Sequence, residues 1–282
     1  MEVVPPPLLF ACGSLLLQGI FEVLYQLAHR GGLDESTYMV AQTGAVFTTL
    51  TVISGSALGF ELTAQMALLG VVSGLLGMTT GWTHLYAMGR GPGSVTSAVR
   101  KLSFILTGLL AVVFLGESLT LTKLAAGALA ALALVTMGLR GDNLTRPHPV
   151  IYVALVTSGL MAFVHKLAAM AGVSASAFLM VQSGTAHVSS HVVALRRGGY
   201  RFSRNTVGFA LLTGSIIAVA MVLGMYALRA GEAVVVVPIL QLGFLVNAPL
   251  SFWLLKEPVT GRKLLGLLMG TLAIVAFAME LG

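Results

Sequence analysis

Four ionisable side chains lie inside long apolar runs: Glu22, Arg100, Lys101 and Lys166. A charge at mid-helix in hydrocarbon costs a few kcal/mol on insertion scales, so such a group faces a cavity or a partner. Glu22 belongs to a polar series, Ser14, Gln18, Glu22 and Gln26, that recurs every four residues. On a helix that spacing makes one stripe. Thr96, Arg100, Ser103 and Thr107 make a second stripe. Arg100 and Lys101 are adjacent, about 100° apart around a helix, so the two need not face one cavity. One acid against two bases leaves a net positive layer. It suits a carboxylate or a phosphate, which a guanidinium holds with two parallel hydrogen bonds. Glu22 offers a seat for a substrate amine or a coupling proton. The plainer alternative is structural: Glu22 pairs with Arg100, and Lys101 snorkels to the nearby membrane face.

Depth supports a common layer. Glu22 lies six residues before the end of a span at about 8–28, roughly 9 Å below that face. Arg100 lies seven residues into a span at about 93–115, entering from the same face, so roughly 10 Å deep. Gln42 and His84 approach the same level from the second and third spans. Gln182 and Gln241 are the corresponding candidates in the second half, as cavity residues or as interhelical hydrogen-bond partners. Lys166, with His165 beside it, is placed to line the opposite vestibule, or to pack and snorkel.

Other patterns carry less chemistry. His187 and His191 have the i, i+4 spacing of metal ligands, but their span holds no acid or thiol, so no metal or other cofactor is expected. Glu117 and Glu257 precede helices whose N-terminal dipoles favour an acid, a structural role. Gly70, Gly74, Gly77 and Gly81 form a stripe for close helix packing. Gly266 and Gly270 form a GxxxG that serves internal packing or a homodimer. Neither a nucleotide-binding Gly-x4-Gly-Lys-Ser/Thr loop nor HExxH or GxSxG occurs, so ATP-driven and hydrolytic chemistry lack support and the chain reads as a non-enzyme.

The elements that must position these groups are membrane helices. The mean hydropathy is +0.94. Of the 282 residues 57% are hydrophobic and 9% charged, against about a quarter charged in ordinary globular chains. The net charge of +6 bears on membrane orientation. No basic stripe with interleaved aromatics suggests nucleic acid. The single cysteine, Cys12, cannot form an internal disulfide. Glu2 replaces the basic start of a signal peptide, so the first run reads as a retained helix.

Ten spans are expected, at about 8–28, 37–57, 66–88, 93–115, 121–140, 149–171, 174–195, 205–228, 232–255 and 262–281. Each is about 20 residues, enough to cross about 30 Å of hydrocarbon. The chain also repeats itself at an offset of 140. Fifteen of the 54 pairs between 86–139 and 226–279 are identical, including Glu117 with Glu257, Thr120 with Thr260 and Lys123 with Lys263. Upstream, Gly19 meets Gly159, Gln42 meets Gln182 and Gly74 meets Gly214. The expected fold is therefore all-α and polytopic: a five-helix unit over 1–140 and a second over 141–282. Five is odd, so the second unit enters the membrane from the opposite face. Inverted repeats underlie alternating access, with the site near the midplane between the repeats.

The sequence resembles the drug/metabolite transporter superfamily, EamA type. The resemblance rests on the two five-helix units, on the paired Leu-Gly-Glu-Ser-Leu-Thr and Leu-Lys-Glu-Pro-Val-Thr hinges at 115–120 and 255–260, and on a glycine-containing last helix. It implies a secondary transporter in the plasma (bacterial inner) membrane. The substrate it implies is open: members export amino acids and other metabolites, and relatives carry sugar phosphates or nucleotide sugars. Such proteins commonly carry a Lys late in the first helix of each repeat. Here Lys166 fills that place in the second repeat and Gln26 in the first, so the halves are chemically unequal.

The expectation is transport of an amino-acid-like zwitterion or an organic anion by alternating access. Competing readings are a cationic-drug exporter centred on Glu22, a nucleotide-sugar or lipid-linked carrier, and a non-transporting scaffold. Basic loop residues number eleven on the face where the first span ends and two, Lys123 and Arg229, on the other. That asymmetry makes the first face cytoplasmic and puts both termini outside. The resemblance implies termini inside.

Overall fold

The computed structural model describes residues 7–56, 63–90, 93–138, 147–256 and 258–281. Glu2, the basic residues Arg140 and Arg146 in one link, and Glu257 lie outside the described residues. The described chain is helical, with no strand. Its helices are α1 (Pro7–Arg30), α2 (Glu35–Ser56), α3 (Ala64–Met88), α4 (Gly93–Lys101), α5 (Ser103–Leu115) and α6 (Leu121–Gly138), followed by α7 (Ile151–Met170), α8 (Ala175–Arg196), α9 (Arg204–Ala230), α10 (Ala233–Gln241), α11 (Phe244–Leu254) and α12 (Gly261–Ala278).

Two expected spans are each broken into two helices. One breaks at Leu102, between α4 and α5, and the other at Leu242–Gly243, between α10 and α11. Pro238 lies inside α10, where its ring and missing N–H act on the turn before it and not on the break four residues later. At the first break Ser103 stands where the other has Gly243, and its hydroxyl donates to Ser158 Oγ at 3.3 Å.

Eight stretches among the described residues are long and apolar enough to cross a bilayer, counting α4–α5 and α10–α11 as one each. This is a multi-pass membrane composition and length. α2 and α8 match the remaining two expected spans in position but are not among the eight. They carry more polar side chains, which meet one another. Thr43 Oγ1 lies 3.2 Å from His187 Nδ1 and 3.1 Å from Ser190 Oγ.

Caps fix several helix starts. Thr63 accepts from Met66 N–H, Thr120 from Lys123 N–H and Thr260 from Lys263 N–H. Asp34 accepts from Thr37 N–H at 2.8 Å and starts α2. Each bond satisfies an amide that the helix itself leaves unpaired.

The molecule wears its apolar side chains outward. Leu68, Phe114 and Trp253 are 65%, 69% and 76% exposed, as a lipid-facing surface requires. Inside, Tyr38, Phe178 and Phe277 are fully buried. Between membrane helices the gain comes from close packing, because lipid competes for apolar contact. α3 therefore presents small residues. A Cβ on Gly74 would lie 2.5 Å from Gln182 O of α8, and one on Gly214 of α9 would lie 2.7 Å from Gln42 O of α2. Gly266 and Gly270 of α12 rest against Met137 of α6 and Phe244 of α11, so the GxxxG packs within this chain.

Candidate functional site

α1, α2, α3, α4, α7, α9 and α10 enclose a cavity of about 290 Å3. It reaches toward the end of the bundle where α1 meets α2 and α3 meets α4. Gln26 near the end of α1, Tyr38 near the start of α2 and Met88 at the end of α3 all line it. Of the residues singled out in the sequence, Gln18, Glu22, Gln26, Gln42, His84, Arg100 and Gln241 line this space. Seven of these groups, from five helices, thus line one space.

Glu22 is the hub. Its Oε1 lies 2.6 Å from Lys101 Nζ and 4.0 Å from Arg100 Nη2. Its Oε2 accepts from Asn247 Nδ2 at 3.2 Å. Ser251 Oγ donates to Asn247 Oδ1 at 2.9 Å and lies 3.3 Å from Gln26 Oε1. One stripe of α1 is thereby tied to one stripe of α11. Lys101 is only 4% exposed, so it does not snorkel; Glu22 draws it inward. It stands behind the cavity wall. Arg100, one residue earlier, faces the cavity, with its Nε buried and unpartnered.

Other polar groups around the cavity are held by the protein. Gln18 donates to Ser14 Oγ, which donates to Ala220 O. Gln42 Nε2 donates to Tyr38 OH at 2.9 Å, and that phenol pairs with Thr213 Oγ1 at 2.8 Å. His84 Nε2 lies 3.4 Å from Ser97 Oγ. Gln182 lies outside the lining. Its Oε1 accepts from His165 Nε2 at 2.7 Å and from Ser73 Oγ at 2.8 Å, so it orients the cavity-lining His165. At the rim, Arg197 lies over the Trp82 and Tyr86 rings and 3.8 Å from Glu35, tying α8 to α3 and α2.

Lys166 is not a vestibule residue. Its Nζ donates to Leu228 O at 3.1 Å and Gly231 O at 2.8 Å, and lies 3.6 Å from Glu117 Oε1. Glu117 does not serve the helix that follows it, α6. Its two oxygens accept from Ala233 N–H and Val234 N–H, at 2.8 and 2.9 Å. It caps α10, far along the chain, because that helix start lacks a side-chain cap of its own. Nearby Lys123 donates to Ser118 and pairs with Glu232, with Glu280 at 3.9 Å.

The sequence reading missed Tyr25, Asn247 and Ser251. Asn247 and Ser251 were detectable as polar residues four apart in an otherwise apolar helix. Tyr25 gave no signal, since an aromatic in an apolar span is ordinary. The His187 and His191 rings stack edge to face at 4.7 Å, and no group of three or more metal-ligating side chains gathers among the described residues.

No family model matches this chain, and no curated protein matches it. A solved crystal structure of another protein does, with a TM-score of 0.74 at 14% identity over 97% of this chain and 96% of its own. Likeness at that identity shows a shared fold.

Proposed function

We propose that this chain is a secondary transporter of a small metabolite bearing an anionic group, working by alternating access in the plasma membrane. In this reading it consists of two inverted five-helix repeats of the drug/metabolite transporter kind, meeting at 140/141.

Three matched features support the duplication. The broken spans break at Leu102 and Leu242, 140 residues apart. Gly19 abuts Gly243 O and Val246, while Gly159 abuts Ser103 O and Leu106, again 140 apart on both sides. Gly74 meets Gln182 O and Thr185, while Gly214 meets Gln42 O and Ala45, with the same offset. Each half thus grips the other through the same contacts, which a two-fold axis between repeats produces.

The observation that carries the function is Arg100. It faces a cavity whose one acid among the described residues, Glu22, is already taken up by Lys101 at 2.6 Å. A guanidinium so placed attracts an anion. The same pairing weighs against a cationic-drug exporter centred on Glu22. In proteoliposomes, wild type should exchange a labelled small anion against an internal pool, and Arg100→Ala should lose this exchange while keeping its melting temperature. Normal exchange by Arg100→Ala would remove the site from this cavity.

A further inference from the structure

On the reading of this cavity as the transport site, we propose that it selects a monocarboxylate with an apolar body and no amine, the carboxylate being shared by Arg100 and the Tyr25 hydroxyl.

Charge comes first. The lining holds one acid among the described residues, Glu22, and both of its oxygens are engaged, by Lys101 and by Asn247. The layer of Glu22, Arg100 and Lys101 is left with one surplus positive charge, on Arg100. A monoanion cancels it. A zwitterion would bring an ammonium into a space with no carboxylate free to receive it, and a buried charge without a partner is costly. A phosphate monoester carries close to two charges at neutral pH and would leave one uncancelled.

Unpaired donors come second. Arg100 Nε and Tyr25 OH are both buried without a hydrogen-bond partner, and both residues line the cavity. Tyr25 is 7% exposed, and its ring is held against Tyr38 at 5.3 Å and Phe21 at 6.0 Å between centroids. Buried hydroxyls in native proteins are almost always bonded. A phenol held in place with nothing to bond, in a residue that lines the same cavity as a surplus guanidinium, is a group that a bound carboxylate would satisfy.

The rest of the lining combines polar groups, several of them hydrogen-bonded within the protein, with a set of apolar side chains. Met39, Met161, Met221, Ile217 and Leu240 face the same space. Methionine adapts its shape to different hydrocarbon bodies. Affinity then comes from the carboxylate end and tolerance from the rest.

Four probes of one chain length separate the head groups: hexanoate, 2-aminohexanoate, hexylamine and hexyl phosphate. Titration calorimetry on the purified protein should find hexanoate bound at least tenfold more tightly than the other three. Tyr25→Phe should weaken hexanoate about tenfold with its own melting temperature unchanged, and Arg100→Gln should abolish binding. Equal affinity for 2-aminohexanoate, no binding of hexanoate, or full affinity in Tyr25→Phe would overturn the assignment. Counterflow of the same probes separates it from the transport reading. Hexanoate that binds through Tyr25 but never exchanges leaves the site standing and removes transport. Exchange of 2-aminohexanoate without hexanoate does the reverse.

Discussion

Two groups of buried charge sit at opposite ends of this helix bundle, and they are built differently. Around Glu22 the protein spends one carboxylate on Lys101, leaves Arg100 facing a cavity and leaves Tyr25 OH unbonded. Around Glu117 each charged group named has a partner among the described residues. Lys166 holds two carbonyls and faces Glu117, Glu117 holds two amides, and Lys123 holds Ser118 and Glu232. The second group behaves as a fastener between halves. The first leaves buried donors unpaired, and such groups in native proteins call for a partner.

Glu22→Ala tests that contrast most severely. It strands Lys101 and Arg100 together in a buried layer, and should cost about 4 kcal/mol of stability by the measure of a broken buried pair. A denaturant titration reads it. Adding Lys101→Met should restore most of the loss; if it does not, Lys101 is not the partner that matters.

Lys166→Ala should cost about 3 kcal/mol and leave anion affinity unchanged, the mirror image of Arg100→Ala. A variant at Lys166 that melts normally but no longer binds would exchange the roles of the two clusters.

Smaller tests compare the halves directly. Gly116 and Lys256 stand 140 apart and both have left-handed backbone, at φ 68° and 52°. Only the lysine is strained there, so Lys256→Gly should stabilise by about 1 kcal/mol, read as a raised denaturation midpoint. A lower midpoint would show that the lysine side chain repays its strain.

The smallest effect belongs to Asp34 at the start of α2. Burial pushes its carboxyl up, but hydrogen bonds from Thr37 and the charge of Arg201 outweigh this and hold it below the usual carboxylate range. Its contribution is therefore full above the ordinary carboxylate pKa and fades as pH falls through the lowered one. Asp34→Ala should cost about 0.5 kcal/mol at neutral pH and nothing in strong acid. A pH-independent difference would show that the carboxylate is not what caps the helix.

Much of this was legible in the sequence because apolar runs and intramembrane charges announce themselves by their cost. Helix positions follow from run length, and the layer of Glu22, Gln42, His84 and Arg100 follows from depth alone. Partners did not follow. Whether Glu22 takes Arg100 or its neighbour Lys101 depends on about 100° of helix rotation, which only the packed structure fixes. Asn247 meets Glu22 across 225 residues, and no local pattern encodes that meeting. Gln26 and Lys166 occupy matched places yet do unlike work. One accepts a bond from Ser251, and the other closes the end of α9.

The cap that Glu117 places on α10 has a consequence for how the protein is made. The amides it satisfies lie 116 and 117 residues further along the chain. Until the ribosome has delivered them, Glu117 waits at the membrane without its amides and Lys123 without Glu232. The fastening of the first half to the second is therefore made only once residues 232–234 are in place, and a chain cut short before them leaves Glu117 and Lys123 without these partners.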